Sequence, residues 1–295
     1  MATAAFTSEV SVQTVFVPSV PLPQVRDLDQ KERKEVLQAS VDEAVGKLLH
    51  LLDQGYTAEF MEALAFIGRL WTYSRSNQIL IAIQRPDASH VAGYQRWKKL
   101  GRQVRQGSSG IFIWAPVMGK VEDDRGNKVE TLLGFRPSAV FAAEDLEDID
   151  TNPLPSLWPK LPDDVEDLYQ AVRAKVEATG VQVIEKYILD AEGMTDGTTI
   201  TVKKGLGSRN RLGILIHEWA HTIAHFGPNR ADKPRVQREL EAEGSAFIVM
   251  HHLGLDNAGS RDYLCNWKAT PDDLIASLDA INKIVKQLVT TIEKA

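Results

Sequence analysis

Apolar residues in the first half of the chain recur at helical spacing and then change to the alternation that is typical of strands. The helical patterns predict four helices, at 29–52, 57–73, 74–85 and 94–101. Two strand-like runs follow at 111–118 and 131–141, and the turn-rich VEDDRGNKVE between them predicts a β-hairpin. The first half therefore combines helices with a small antiparallel sheet.

The second half returns to helices around a short pair of strands. Strands are predicted at 181–189 and 198–204, and helices at 163–178, 209–226, 235–254 and 271–294. A stretch rich in acids and prolines precedes this half and is typical of a linker. We expect an α+β protein of two domains, divided into a flexible arm (1–28), a first domain (29–145), a linker (146–162) and a second domain (163–295).

Composition excludes several classes of protein. The chain has 295 residues, 43% hydrophobic and 25% charged, as in ordinary globular proteins. No apolar run approaches the roughly 20 residues of a membrane span, so no membrane partner is expected. The single cysteine excludes an internal disulfide framework and a cysteine-based zinc site. With no signal-peptide pattern at the amino terminus, these features predict a cytoplasmic protein.

Positive charge is concentrated in one window of an acidic chain. Residues 66–120 hold 9 basic and 1 acidic side chains, although the whole chain has a net charge of −6. Cations mixed with aromatic rings are typical of single-stranded nucleic-acid binding, where rings stack on bases. The alternative is a solvated basic face. The predicted DNA contacts are Arg69, Trp71, Tyr73, Arg75, Tyr94, Arg96, Trp97, Lys98, Lys99, Arg102 and Arg105.

The run GILIHEWAHTIAHF (213–226) contains the pattern H-E-x-x-H. On a helix, His217 and His221 lie one turn apart on one face and can bind the same metal ion. Glu218, beside them, can take a proton from a water at the metal and pass it to a leaving amine. The pattern predicts a metallopeptidase site with zinc, or another divalent ion, as cofactor. The alternative is a core helix whose histidines are satisfied by hydrogen bonds. His225, one further turn along this face, is a weaker candidate that we expect to pack or to support a ligand.

A catalytic zinc needs a third protein ligand, and the helix RELEAEGSAFIVM (238–250) offers three glutamates. Glu239 shares the face marked by its small apolar residues, Glu243 lies at the edge of that face, and Glu241 points away. We predict Glu239 as the third ligand. Glu243, one turn on, is predicted to orient a histidine N–H. The run TTITVKK before the motif helix is expected to pair with an extended peptide.

The two halves together resemble a known family. The segment WTYSRSNQILIAIQRPDASHVAGYQRWKKLGRQVRQGSSGIFIWAPV (71–117) is similar to the amino-terminal single-stranded-DNA-binding domain of ArdC-type antirestriction proteins. The second half resembles their zinc-metallopeptidase domain, which is related to the gluzincin-like ImmA/IrrE and SprT-like groups. The resemblance implies a zincin-like fold and a protein of a plasmid, phage or conjugative element that protects incoming DNA from restriction.

Two functions follow. In the first, the protein binds single-stranded DNA and its metal site cleaves a DNA-associated protein or peptide. In the second, it coats DNA and protects it by occlusion, with a metal domain that is structural or non-proteolytic. Mimicry of DNA by acidity is disfavoured, because a charge of −6 on 295 residues is mild.

Overall fold

A computed structural model of the chain describes residues 16, 25–54, 57–122, 127–152, 154, 164–189, 191–227, 233–255 and 271–293. Most of the predicted arm, and residues 155–163 of the predicted linker, lie outside them. The chain divides into two compact units. We call residues 13–46 and 75–157 the hairpin unit, and residues 1–12, 47–74 and 158–295 the HExxH unit. Residues 47–74 thus group with the HExxH unit, whereas the sequence placed them in the first domain; the predicted limits of the domains stay a prediction.

The described residues form a mixture of helices and strands, so the fold class is α+β. The helices are α1 (Gln30–Asp53), α2 (Thr57–Gly68), α3 (Arg75–Gln84), α4 (Tyr94–Lys99), α5 (Val165–Ala178), α6 (Ser208–Ala224), α7 (Arg235–His252) and α8 (Pro271–Glu293). The strands are β1 (Val91–Ala92), β2 (Ile111–Glu122), β3 (Lys128–Ala142), β4 (Gln182–Lys186), β5 (Gly193–Thr195) and β6 (Thr199–Lys203). Short 3₁₀ turns occur at Val25–Asp27 and Ala143–Asp145.

The helical predictions are confirmed to within a few residues, except that α2 ends at Gly68 rather than at 73. The predicted hairpin is confirmed as the antiparallel pair β2–β3. Two short strands, β1 and β5, were not predicted. Among the helices in the described part of the chain, none has both the length and the hydrophobicity that crossing a bilayer requires.

The hairpin unit is built on a three-stranded antiparallel sheet in the order β1–β3–β2. Of the two faces of β2, the one with Ile111 and Ile113 is buried. Helix α3 covers the outer edge of β2 with two side-chain amides. Asn77 both donates to and accepts from the main chain of Trp114 (2.9 and 2.8 Å), and Gln84 does the same with Phe112 (2.8 and 2.9 Å). These amides satisfy edge groups that would otherwise be open to another strand.

The HExxH unit is built on a three-stranded sheet in the order β4–β6–β5, with β4 parallel and β5 antiparallel to β6. Helix α6 contacts β5 and β6 on one side and helices α5 and α7 on others. Helix α7 is buried over most of its length because α2, α6 and α8 all pack against it. This packing fixes the faces that α6 and α7 turn toward each other.

Glycine allows the closest of these approaches. A Cβ at Gly244 of α7 would lie 2.9 Å from Cδ1 of Ile281 and 3.3 Å from Cδ1 of Leu64. A Cβ at Gly68 would lie 2.6 Å from Cγ2 of Ile248. The backbones of α2 and α8 therefore lie near α7, which holds that helix in place behind the motif helix.

Candidate functional site

Three side chains of the motif helices converge on one point. Nε2 of His217 and Nε2 of His221 lie 3.1 Å apart on α6. Oε2 of Glu239 on α7 lies 3.6 Å from the first nitrogen and 3.4 Å from the second. The histidines are four residues apart and so share a face of α6, and Glu239 reaches them from the first turns of α7.

This triangle fits a divalent metal ion. A tetrahedral ion with bonds of about 2.0–2.1 Å holds neighbouring ligand atoms about 3.3 Å apart, which is close to all three separations. Two imidazole nitrogens that face each other at 3.1 Å must share a proton or a cation. His217, His221 and Glu239 are a candidate metal-binding group of the described residues, and two histidines with a carboxylate form a donor set that suits a divalent ion.

Glu243 holds the far side of the first histidine. Its Oε2 lies 2.9 Å from Nδ1 of His217, so the ring donates to the carboxylate and leaves Nε2 directed at the other ligands. Burial works to lower the pKa of His217, but the nearby carboxylates of Glu239 and Glu243 outweigh it and raise that pKa to about 10. Hydrogen bonds from His217 and His221 lower the pKa of Glu239. Burial lowers the pKa of His221.

Glu218 follows the first histidine and lies against the edge of the sheet. The residue is 9% exposed, and burial raises the pKa of its carboxyl to about 7. A Cβ at Gly193 of β5 would lie 2.8 Å from Oε1 of Glu218, so the backbone of β5 passes directly beside this carboxyl. A carboxyl with a pKa near neutrality can both take up and release a proton at working pH.

Of the two edges of the sheet, the one beside the motif helix belongs to β5. The expectation that TTITVKK offers an edge to a peptide is wrong, because β6 is paired on both sides. Within the described residues no strand pairs with the outer side of β5. The unpredicted β5 contains only Gly193, Met194 and Thr195, so it is too short to show the alternation by which strands are recognised.

A second set of polar residues lies behind His221. Its Nδ1 lies 2.9 Å from Nδ1 of His225, whose Nε2 lies 3.0 Å from Oε2 of Glu241. Glu241 contacts none of the three converging groups, in line with the helical spacing, but it is fully buried and contacts His225 and Lys233. His225 lies one further turn along the face of His217 and His221, as its spacing indicates, whereas no local pattern indicates its contact with Glu241.

The predicted DNA contacts in the hairpin unit fall mostly on α4 and the loop after it. Arg96, Lys98 and Lys99 are exposed on this short helix. Tyr94 is 40% exposed, and its ring packs edge-on against Phe141. The helix ends at Lys99 and is soon followed by Gly101, whose φ of 74° is a conformation that glycine adopts without strain.

Two of the predicted DNA contacts need correction. Trp97 is 3% exposed within the small core formed with Val104 and Leu146, and its Nε1 donates to Phe141 O at 3.0 Å. Arg102 is 8% exposed, and it pairs with Asp148 at 2.9 Å. Because both side chains are buried and bonded within the hairpin unit, neither belongs to an exposed binding surface.

The remaining predicted DNA contacts are ion-paired, half-buried or part of the other unit. Arg105 is exposed, and its guanidinium lies 3.7 Å from Asp150. Arg75 begins α3 and is half-buried. Arg69, Trp71 and Tyr73 are half-buried and belong to the HExxH unit, where Arg69 stacks on the ring of Phe66 at 4.1 Å. The predicted set is thus divided between the two units.

Comparison with known proteins identifies one segment of the chain. Residues 54–141 match the model of the N-terminal domain of anti-restriction factor ArdC. The chain contains an ArdC N-terminal domain. The matched segment includes strand β2, most of β3, and the exposed basic helix α4.

Similarity extends beyond that segment at low identity. The Bacillus anthracis uncharacterized protein pXO2-81 is 22% identical over 311 residues, which cover 88% of this chain and 52% of the relative. The chain thus spans about half the length of this curated relative. Crystal structures of the antirestriction protein ArdC from plasmid R388 are also similar. The metal-free form has a TM-score of 0.49 and 18% identity over 75% of this chain and 85% of ArdC. The Mn(II)-bound form has a TM-score of 0.47 and 16% identity over 83% and 98%.

Proposed function

We propose that this chain is an ArdC-type protein that binds single-stranded DNA through its hairpin unit and hydrolyses peptide bonds at a metal site in a zincin-like HExxH unit. In this proposal the protein protects incoming DNA of a mobile element from restriction. The observation that carries the enzymatic part is the convergence of His217, His221 and Glu239 beside the buried carboxyl of Glu218.

The proposed cofactor is Zn²⁺, held by the three converging side chains. Two histidines and a glutamate form the ligand set of many catalytic zinc sites, which leave one coordination position open. A bound ion would act as a Lewis acid that polarises a peptide carbonyl and makes an attacking water more acidic. Glu243 would keep the ring of His217 directed at the ion, because the contact at 2.9 Å restrains its rotation.

Glu218 would carry the proton in this reaction. It lies next in sequence to one ligand but is not itself one of the three converging groups. Its carboxylate would accept a proton from the attacking water and donate it to the leaving amine. Burial raises the pKa of this carboxyl to about 7, so the group can act as the base in the first step and as the acid in the second.

The outer edge of β5 is the proposed binding site for the substrate backbone. Hydrogen bonds from Lys203 N–H to Glu192 O (2.8 Å) and from Asp196 N–H to Thr199 O (3.2 Å) flank the strand. In the antiparallel alternation, the main-chain groups of Gly193 and Thr195 then face outward. An extended peptide that adds to this edge would run beside Glu218, because Gly193 touches that side chain.

The proposed DNA surface is the exposed side of α4 with the loop after it. Trp97 anchors one face of this six-residue helix in the core, so Arg96, Lys98 and Lys99 project from the other faces. Three cations on two turns attract phosphates without reading sequence, and Tyr94 adds an exposed ring. The fit to single strands rests on this pairing of charge with an aromatic ring.

The test compares wild-type protein with Glu218→Gln, using a quenched-fluorescent peptide library with and without a single-stranded oligonucleotide. We expect Glu218→Gln to bind Zn²⁺ as wild type does and to lose peptide cleavage. Glu177→Gln, which changes a glutamate on the surface of α5, is the matched control and should cleave normally. Cleavage by Glu218→Gln at the wild-type rate would remove this residue from the reaction. If wild type binds DNA and zinc but cleaves nothing, protection by occlusion is the better function.

A further inference from the structure

A relay of hydrogen-bonded polar side chains, formed by His225, Glu241 and Lys233, leads away from His221, the second histidine of the motif. Nδ1 of His221 lies 2.9 Å from Nδ1 of His225, and Nε2 of His225 lies 3.0 Å from Oε2 of Glu241. Lys233 is the last member of this relay, and its Nζ lies 2.8 and 2.6 Å from the two carboxylate oxygens of Glu241. His225 is 3% exposed and Glu241 is 0% exposed.

Helical spacing on α6 and α7 positions these residues, as it positions the metal ligands. His217, His221 and His225 follow one another at four-residue steps, and His225 ends α6 with its N–H donating to His221 O at 2.8 Å. On α7, Glu239 and Glu243 face His217. Glu241, between them, turns to another side of the helix and meets His225 there. Each histidine of the candidate metal centre therefore has a carboxylate behind it, direct for His217 and one imidazole further away for His221.

The geometry permits one arrangement of protons. If Nε2 of His221 binds a metal ion, its proton must be on Nδ1. Among the described residues, the acceptor that meets this N–H is Nδ1 of His225, which must then carry its own proton on Nε2. The Nε2–H of His225 donates to Glu241, whose negative charge is balanced by Lys233. The hydrogen bonds from His221 to His225 and from His225 to Glu241 then both donate in the direction away from the metal centre.

We propose that His225, Glu241 and Lys233 act as positioning residues that hold His221 in its Nδ1–H tautomer and so set the metal affinity of the centre. The inference depends on the metal site of the proposed function, and it is independent of peptide hydrolysis and DNA binding. Burying a carboxylate costs free energy unless the carboxylate is paired, and Glu241 is paired with both His225 and Lys233. Outer partners of metal-bound histidines typically change metal affinity about 10–100-fold when they are removed.

The experiment measures the Zn²⁺ dissociation constant of the full chain by competition with a chromophoric chelator. His225→Leu removes the acceptor, and we expect its dissociation constant to rise about 10–100-fold. His225→Gln restores an oxygen that can accept from His221, so its affinity should lie between that of wild type and His225→Leu. Lys233→Met changes the last side chain of the relay, which is 31% exposed, and it should weaken zinc binding less than His225→Leu does.

A matched control separates positioning from packing. His252 and Glu293 form another histidine–glutamate contact in the same unit, at 3.1 Å and away from the metal centre. His252→Gln should leave the zinc affinity unchanged. In metal-free protein, ¹⁵N spectra of the histidine rings should show Nδ1–H at His221 in wild type and a larger share of Nε2–H in His225→Leu. A change of tautomer is not expected from loosened packing alone.

The outcomes are distinct. Zinc affinities of His225→Leu and Lys233→Met within twofold of a tight-binding wild type would overturn the relay and leave the metal site standing. Equal losses in His225→Leu and His225→Gln, with an unchanged His221 tautomer, would also overturn it and indicate packing. If His225→Leu does not fold, the decision passes to Lys233→Met, for which weaker zinc binding supports the relay. A wild type that binds no zinc would contradict the proposed metal site and the relay together.

Discussion

Gly193 and Glu218 lie so close together that a Cβ on the glycine would be 2.8 Å from Oε1 of the carboxylate. The same Cβ would lie 2.5 Å from Cγ2 of Ile214. The edge strand and the motif helix are therefore in contact at a position that accepts no side chain. This contact sets the distance between the open edge of β5 and the carboxyl that we propose as the proton carrier.

Gly193→Ala should push β5 away from α6. Overpacking of this kind costs about 1–3 kcal/mol, which urea unfolding would measure. Zinc affinity should stay within a few-fold of wild type, because the atoms nearest to the added Cβ belong to Ile214 and Glu218 rather than to a ligand, while any peptide cleavage should fall. Gly227→Ala is the matched control, since a Cβ there meets nothing within 4 Å. Equal stability of the two variants would show that β5 is not tightly packed against Glu218.

Charge reversal on α4 should weaken DNA binding. In Lys98→Glu/Lys99→Glu, two phosphate contacts are lost, so the slope of log affinity against log salt for single-stranded DNA should shrink by about 1.4. Lys283→Glu/Lys286→Glu makes the same change in net charge on exposed positions of α8 and serves as the control. A fluorescence anisotropy titration at several salt concentrations measures both. An equal effect of the two double variants would indicate a dependence on net charge rather than on α4.

Tyr169 should make the folded protein sensitive to alkaline pH. Burial and the contact of its hydroxyl with Glu185, at 2.9 Å, raise the pKa of Tyr169 to about 12. In the unfolded chain a tyrosine loses its proton near pH 10. The stabilisation of the neutral hydroxyl is thus fully present below about pH 10 and is lost as pH rises toward about 12.

Tyr169→Phe has no proton to lose, so its free energy of unfolding should decline less steeply over that pH range than that of wild type. Urea unfolding at several pH values between about 9 and 11 measures the two slopes. Parallel slopes would show that Tyr169 is not protected from ionisation in the folded state.

Periodicity in the sequence was sufficient to predict the large elements. Long amphipathic helices such as α5 and α8 repeat their apolar positions over several turns, and the alternation in β2 and β3 gave the hairpin. β5 could not be found in this way. Its three residues have no pattern of their own, and their conformation depends on pairing with β6 and on contact with α6. Gly68, where α2 ends, lies against Ile248 of α7, a long-range contact that no local pattern indicates.

The candidate site was predictable only as far as helical geometry applies. The four-residue step brings His217 and His221 together, and the small-residue face of α7 brings Glu239 to them. The same reasoning places Glu241 off that face, but it could not show that Glu241 is buried, because this depends on the neighbours that pack around α7 on several sides. Composition could not separate Trp97 and Arg102, which stabilise the core, from the exposed cations beside them. That the converging side chains bind metal, and that α4 binds DNA, stay predictions.

The most direct test of the central claim is a Zn²⁺ titration of metal-free wild type and Glu239→Ala, with single-stranded-DNA binding measured on the same samples. We predict that wild type binds a single Zn²⁺ ion tightly at His217, His221 and Glu239, and that Glu239→Ala binds it at least about 100-fold more weakly. DNA affinity should be the same in both, because Glu239 and α4 belong to different units. A wild type that takes up no zinc, or a Glu239→Ala variant that binds it equally well, would contradict the proposed metal centre.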